Sequence, residues 1–539
     1  MKRSLPVLIF IIAIIARILP GARTIDDSYI TFRYARNILA GNGFTYNPDE
    51  RVMGTTTPLY TGIMATLGAV SGGVNAPFPE LALIINALAD SITCLLLYKL
   101  GSKLGYPLGG TVAALAYGIA PWSVTFAIGG LETSVYILLL TLSAYFYNPP
   151  SLPSPPHPQP LSQREGGAGV RATAIFGALA LLTRPDALIL LAPIALHYLI
   201  TQILPRKTSL TAAVRAALPA LLLLGAWYTF AWLYFGSPIP HSVSAKVLAY
   251  HLNPEEALVR LLQHYTTPFL VYEIVGMWWV GVGLILYPFL YIIGAQKIYR
   301  AAPNLLPWLL YPWLYFTVFA IANPLIFRWY LTPPLPAYFL TILIGLEHLW
   351  RPRPPQESGI PQQSTRGLVG TRLSLGRRAA LGLFLIPLLA PLTTWTLHPD
   401  HGANRPAPEM AWIQLELHYR RAAEILQPYL ANSSQPVTLA AGDVGVLGFV
   451  TNARILDTVG LNSPISSTYY PIAPEDYAIN YAIPTQLILA QQPDYIVIQE
   501  VYARNTFLQD TRFWQQYNLL YTIPNDIYGS QGMLIFAHK

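Results

Sequence analysis

Two adjacent carboxylates, Asp26 and Asp27, stand where the first apolar run of the chain gives way to Ile25-Asp26-Asp27-Ser28-Tyr29-Ile30-Thr31-Phe32-Arg33-Tyr34-Ala35-Arg36-Asn37. Neighbouring carboxylates at such an edge repel each other and are partly desolvated, so a proton, a cation or a substrate hydroxyl must compensate them. The pair suits a general base or a metal ligand; as a plain structural feature it suits the start of a helix running from Ser28. Glu132, in Gly129-Gly130-Leu131-Glu132-Thr133, is a third carboxylate at an apolar edge. It is either a second acid/base, a metal ligand with Asp27, or a helix N-terminal charge. Lys246, Arg328 and Arg184 are cations at similar edges, able to hold a phosphate leaving group and stabilise its developing charge, or to serve as snorkelling anchors. Arg33 and Arg36 share the helix of the acidic pair, and a salt bridge to those aspartates is their simpler role. Arg33 and Tyr34 also stand as candidate substrate contacts. His241, a lone loop histidine, is a candidate contact or ligand against a solvated surface group. Trp412 and Tyr419 offer flat rings to a sugar, or belong to a core.

The elements that must position these groups follow from composition. The 539 residues are 53% hydrophobic and 11% charged, against roughly 25% charged in soluble domains, so the apolar surplus faces lipid. Apolar runs near the ~20 residues needed to cross hydrocarbon recur over the first 400 positions without the alternation of a β-barrel, and are therefore helices. The expected spans are 5–20, 80–98, 106–126, 133–148, 172–183, 186–203, 212–235, 268–294, 303–321, 329–349 and 379–397. A net charge of +7 does not imply nucleic acid, because the basic residues cluster in short loops and report orientation. With the N-terminus inside and a hinge at Thr183-Arg184-Pro185-Asp186, the basic loops all fall inside. The apolar segment 58–70 is too short to cross and is expected on the outer surface.

The single cysteine, Cys94, excludes disulfides and a Cys-based metal site. No His-Glu-x-x-His helix or P-loop glycine run occurs, and Ala441-Gly442-Asp443-Val444-Gly445-Val446-Leu447-Gly448 lacks dinucleotide-binding spacing, so no nucleotide cofactor is expected. Residues 148–169 and 351–378 are Pro-rich linkers expected to be disordered inside the cell. The chain thus divides into a membrane domain over 1–397, with a first outer loop at 21–79, and a small soluble α/β domain over 398–539. In the latter, 409–430 has helical periodicity, and Val437–Ala441, Ile455–Asp457, Tyr495–Gln499 and Met533–Ala537 read as strands.

The stretch DDSYITFRYARNILAGNGFTYNPDERVMGTTTPLY resembles the first outer loop of GT-C glycosyltransferases, especially bacterial enzymes similar to the mycobacterial terminal arabinofuranosyltransferases. In the same order, GGLET (129–133), LTRPD (182–186), GSPIPHSVSAK (236–246), RWYLTP (328–333), AGDVGVLG (441–448) and ILDTVGL (455–461) resemble further segments of that group. His241-Ser242-Val243-Ser244 departs from the Asn-Thr-aromatic run of the relatives. The resemblance implies an α-helical polytopic membrane protein of the bacterial plasma membrane, with about eleven spans and an extracytoplasmic C-terminal domain. It implies sugar transfer from a polyprenyl-phosphate donor to a hydroxyl of an envelope glycan or other acceptor, the acidic pair lying at Asp26-Asp27. A divalent metal ion at Asp27 and Glu132 is a further expectation. The alternatives are a multi-span transporter, disfavoured because the acidic residues gather at one face and no repeat is visible, and a non-catalytic envelope assembly or sensor protein.

Overall fold

The computed structural model describes residues 4–148, 163–269, 272–351, 375–398, 405–412, 414–433 and 435–539. The two expected linkers lie largely outside them. The chain opens with α1 (Ser4–Ile18), leaves the bundle for α2 (Asp26–Leu39) and α3 (Pro58–Val70), and returns in α4 (Phe78–Lys103). Then follow α5 (Pro107–Ile119), α6 (Pro121–Ile128), α7 (Thr133–Tyr147), α8 (Gln163–Thr183), α9 (Leu188–Tyr198) and α10 (Leu210–Phe235). Two short helices, α11 (His241–Ala249) and α12 (Glu256–Thr266), precede α13 (Tyr272–Ala301), α14 (Leu306–Ala322), α15 (Leu335–Trp350) and α16 (Leu375–Leu389).

Among the described residues, six helices are long and apolar enough to cross a membrane, or seven if a bent pair counts as one span. That pair, α5 and α6, replaces the continuous span expected over 106–126 and is bent by 46°. Proline explains the break: Pro121 has no N–H to donate, and the residue before it, Ala120, is extended at φ −60°, ψ 134°. The hinge expected at 183–186 is present. The helix α8 stops at Thr183, Arg184 is extended, and a short 3-10 turn at Pro185–Ala187 starts the next helix. The last expected span ends early, at Leu389, where Pro391 opens a 3-10 turn leading into β1 (Trp395–Thr396). The short helix α3 packs between α2, α4 and α8.

Inside the bundle, Arg17 of α1 and Asp90 of α4 form an ion pair at 2.9 Å with both side chains 0% exposed. The Asp90 carboxylate also accepts from Tyr117 Oη (2.8 Å) and Ser134 Oγ (3.0 Å), while Arg17 donates to Ser123 Oγ (3.1 Å) and the Ala13 carbonyl (3.1 Å). Five helices, α1, α4, α5, α6 and α7, therefore meet at one charge-paired knot. Farther along, α13 and α15 cross so closely that a β-carbon on Gly294 or Gly345 would overlap the other helix's backbone, the close approach by which helices associate in lipid.

The C-terminal part carries β2 (Ala407–Pro408), paired with β1, then α17 (Leu415–Ala431), β3 (Thr438–Ala441), α18 (Gly445–Thr451) and β4 (Arg454–Asp457). It continues through α19 (Pro464–Ser467), α20 (Thr485–Gln491), β5 (Tyr495–Gln499), α21 (Thr511–Gln516), β6 (Tyr517–Ile523) and β7 (Met533–His538). The sheet order is β4-β3-β5-β7-β6, with β3, β4 and β5 parallel and β7 antiparallel to both β5 and β6. The four expected strands and the helix are found close to the expected positions, and β6 and the short pair β1–β2 are additions.

Removing one member of the buried pair should be worse than removing both. Asp90→Asn leaves Arg17 uncompensated and should cost about 3–5 kcal/mol of stability, read as a lowered Tm of the purified protein. The double variant Arg17→Met/Asp90→Leu should recover part of that loss.

Candidate functional site

The loop over residues 21–79 and the C-terminal α/β part are joined by many direct hydrogen bonds. The helix α2 starts at Asp26, and its first carboxylate does not face solvent: it accepts the Gly445 N–H on Oδ2 and the Val446 N–H on Oδ1, both at 2.8 Å. Asp26 thus caps the start of α18. Only glycine allows this, because a β-carbon at Gly445 would fall on the Asp26 carbonyl oxygen. Arg33 donates from Nε to the Tyr46 carbonyl (2.8 Å) and from Nη2 to the Ala453 carbonyl (2.7 Å). Arg36 donates from Nη1 to the Phe449 carbonyl at 2.8 Å. Tyr34 Oη donates to Asn462 Oδ1 at 3.0 Å, and Asn47 exchanges two hydrogen bonds with the backbone of Ile455.

These contacts correct several expectations. Arg33 and Tyr34 are each 0% exposed and hold the loop to the C-terminal sheet, so they are not substrate contacts. The expected salt bridge from Arg33 or Arg36 to the aspartates is absent among the described residues; the guanidiniums reach backbone carbonyls instead. Trp412 is packed under the Arg23 guanidinium, 4.2 Å from its ring centre, and donates to Thr396; it is core and offers no stacking face. Tyr419 is likewise buried.

Beside this junction opens a cavity of about 670 Å³. Four of the expected site residues line it: Asp27, Glu132, Arg184 and Lys246. Asp27 follows Asp26 by one helical position, about 100° around the axis, and is turned into the cavity while Asp26 is turned away. Its carboxyl is held above the usual range by burial, with the Lys246 charge opposing. Lys246 sits on α11 across from it, 5.0 Å from the Phe327 ring centre, and makes no salt bridge among the described residues. The other cation is committed. Arg184 donates to both oxygens of Asp186, at 2.9 and 3.1 Å, and approaches Glu132 at 3.5 Å. Two carboxylates flank it, and its Nη1 is left without a hydrogen-bond partner in the protein. Arg328 is exposed and lies outside the cavity wall. His241 faces the other side of α11, with Nε2 3.3 Å from Ser467 Oγ.

The carboxylates present do not fit a protein-built metal site. Among the described residues no three His, Cys, Asp or Glu side chains gather in the manner a cation needs, and Glu132 is already matched to Arg184.

Two residues of the site were not anticipated. Asp186, seen in sequence only as part of the hinge, lines the cavity. Asp443, in the AGDVGVLG stretch, sits against the acidic pair, with Oδ2 accepting from Tyr419 Oη (3.1 Å) and Tyr502 Oη (3.4 Å). Burial and the Asp27 charge push its carboxyl up to about 7. Burial first, then Asp443, holds Asp26 well above the carboxylate range. Asp457 accepts four hydrogen bonds from Val459, Gly460 and Asn462 and is still pushed up to about 6 by burial.

The architecture has solved counterparts. The oligosaccharyltransferase of Archaeoglobus fulgidus, solved with Zn and sulfate, aligns with 98% of this chain and 73% of its own at a TM-score of 0.54 and 12% identity. ArnT from Cupriavidus metallidurans in the apo state aligns with 99% of this chain and 97% of its own, at a TM-score of 0.54 and 12% identity. The chain shares the fold of these two proteins. In sequence, the chain is 29% identical over 229 residues to the terminal β-(1→2)-arabinofuranosyltransferase of Mycobacterium tuberculosis (strain ATCC 25618 / H37Rv). That match takes in 41% of this chain and 34% of the relative, so the chain spans about a third of the length of the curated protein it matches. Residues 409–536 match a domain of unknown function, DUF8728.

The raised carboxyl groups carry a pH signature. A carboxyl whose folded value lies above its unfolded one favours folding below the unfolded value, and that contribution is lost as pH rises through the folded one. For Asp443 the window runs from about 4 to about 7. The Tm of the wild type should fall across that window, and Asp443→Asn should flatten the fall.

Proposed function

We propose that this chain is a glycosyltransferase that moves a sugar from a polyprenyl-phosphate-linked donor to an acceptor hydroxyl on the outer face of a bacterial plasma membrane. The observation that carries the reading is one carboxylate, Asp27, and one uncommitted ammonium, Lys246, facing a shared cavity whose wall runs into an apolar groove. That groove, about 630 Å³, lies between α3, α8 and α10. Pro58 and Leu182 line the groove where Thr57 and Arg184 line the cavity, so a lipid tail and its polar head would lie in continuous space. The relatives support transfer of a sugar as the reaction class.

In the proposed step Asp27 takes the proton of the acceptor hydroxyl as its oxygen attacks the anomeric carbon. The bond from that carbon to the phosphate oxygen breaks, and its electron pair leaves on the phosphate, which the Lys246 ammonium stabilises. A single displacement inverts the anomeric configuration. Asp26 builds the site without entering the chemistry. Glu132 and Asp186 fix Arg184, whose guanidinium lies 4.7 Å from the Tyr330 ring centre, and so shape the cavity floor. The donor sugar can be a hexose or a pentose in this scheme.

The adjacent aspartates should separate cleanly. In vesicles supplied with a polyprenyl-phosphate sugar, Asp27→Asn should lower kcat by about 10²–10⁴-fold with little change in Tm. Asp26→Asn should lower stability by about 1–3 kcal/mol and reduce kcat less. Lys246→Met should raise the donor KM by about tenfold or more. Transfer by Asp27→Asn at the wild-type rate would remove that carboxylate from the chemistry, and no transfer by the wild type from any such donor would sink the proposal.

A further inference from the structure

The short helix α11 is a partition between two spaces. One side carries Ser242 and Lys246 toward the Asp27 cavity; the other carries His241, Ser244 and Leu248 toward a second cleft of about 530 Å³, and Val243 and Val247 border both. The helix is tied at its ends. The His241 N–H donates to the Met53 carbonyl at 2.8 Å, and beyond the last turn the His251 N–H donates to the Asn480 carbonyl at 2.9 Å. Between these ties its apolar side chains are open: Val247 is 78% exposed, and Ile239, just ahead of the helix on the cleft wall, is 65% exposed.

The depth of this cleft follows from α10. That helix is long and apolar enough to cross a membrane, and six of its last nine residues, Trp227, Tyr228, Phe230, Trp232, Tyr234 and Phe235, are aromatic. Tryptophan and tyrosine concentrate at the boundary between lipid and water, so the end of α10 marks that boundary. Phe235 itself lines the cleft. The cleft therefore opens at the level of lipid headgroups, where an exposed valine and isoleucine face acyl chains and carry no cost of hydration.

Charge selects the headgroup. Arg51 lines the cleft with its guanidinium carbon 4.7 Å from the Tyr234 ring centre, and it makes no ion pair among the described residues. The neighbouring acid, Glu50, is spent on Arg454 at 2.6 Å. No Asp or Glu lines the cleft, so a lipid phosphate finds a partner there and the ammonium of a zwitterionic headgroup does not. The donor's tail has its own space: the groove between α3, α8 and α10 shares no lining residue with this cleft.

We propose that this cleft is a second lipid site, that its occupant is an anionic glycerophospholipid of the surrounding membrane, and that the lipid braces α11. The Arg51 guanidinium donates to the phosphate, while an acyl chain lies along Ile239, Val247 and Leu248 and covers the open side of the helix. Because Lys246 projects from the opposite side of α11, a lipid that steadies the helix steadies the ammonium facing Asp27. That last consequence rests on the transferase reading above; the lipid site does not.

The test adds phosphatidylglycerol or phosphatidylcholine of identical chains to the full chain in detergent and counts retained lipid by native mass spectrometry. Phosphatidylglycerol should be retained about fivefold better; Arg51→Gln should bring it down to the phosphatidylcholine level, Arg51→Lys should keep most of the difference, and Leu248→Asn should weaken both lipids. Hydrogen exchange of the α11 amides should slow with phosphatidylglycerol in the wild type and not in Arg51→Gln. In vesicles, phosphatidylglycerol should lower the donor KM, and Arg51→Gln should remove that effect. Equal retention of the two lipids, retention untouched by Arg51→Gln, or displacement by equimolar polyprenyl phosphate would overturn the site, the last by giving the cleft to the carrier lipid. Unchanged exchange in α11 would overturn the bracing. Absence of turnover in every vesicle would sink the transferase reading alone, since retention and exchange are measured without a sugar donor.

Discussion

The Asp26 carboxyl group, holding the Gly445 and Val446 N–H groups at the start of α18, sets how the loop helix α2 sits against the C-terminal sheet. Two backbone N–H groups that would otherwise lack partners at the start of α18 are met by this one buried carboxyl, so its removal would leave both unsatisfied. It joins residue 26 to residues 445 and 446, so the loop helix and the C-terminal sheet move as one piece. Arg33, Arg36 and Asn47 add further ties along the same seam. Because the next residue is Asp27, whatever fixes α18 also fixes the carboxylate that lines the cavity to within one helical step.

Adjacency in sequence and opposition in space explain how two neighbouring aspartates take different work. Successive helical residues point about 100° apart, so a helix beginning at Asp26 cannot aim both carboxylates into one cavity. One is spent on docking, the other on the cavity. The cations are sorted by the same arithmetic of neighbours: Arg184 is matched by Glu132 and Asp186, Arg328 stands outside, and Lys246 is left facing Asp27.

What could be read from residues alone was whatever is set by near neighbours. The helix break at Thr183 follows from Pro185, the strands from apolar runs between turn residues, and the acidic pair from its place at the end of α1. The misreadings share one cause. Arg33 and Tyr34 look like site residues because they flank the aspartates, but their partners Ala453 and Asn462 lie more than 400 positions away, beyond any periodicity or motif. Strand β6 escaped because its exposed residues do not alternate and its register shifts between Leu519 and Tyr521. Asp443 was visible in a glycine-rich stretch, yet nothing local told it apart from a turn; only the docking of α18 gives it Asp27 as a neighbour.

The Arg17–Asp90 pair shows why the same polar chemistry that makes the site also requires a scaffold beneath it. A loop bearing several partly desolvated carboxylates repels itself, and a bundle held only by apolar contacts in lipid has little to resist a shift of α1, since the tails are as apolar as the helices. A fully buried ion pair is different: sliding α1 against α4 would strand two charges in a medium that cannot solvate them. With Tyr117, Ser123 and Ser134 closing the remaining valences, the pair resists changes in register among the five helices from which the loops bearing Asp27 and Glu132 emerge. The distance between those carboxylates and the cations opposite is thus set from below by a knot that has no part in the chemistry.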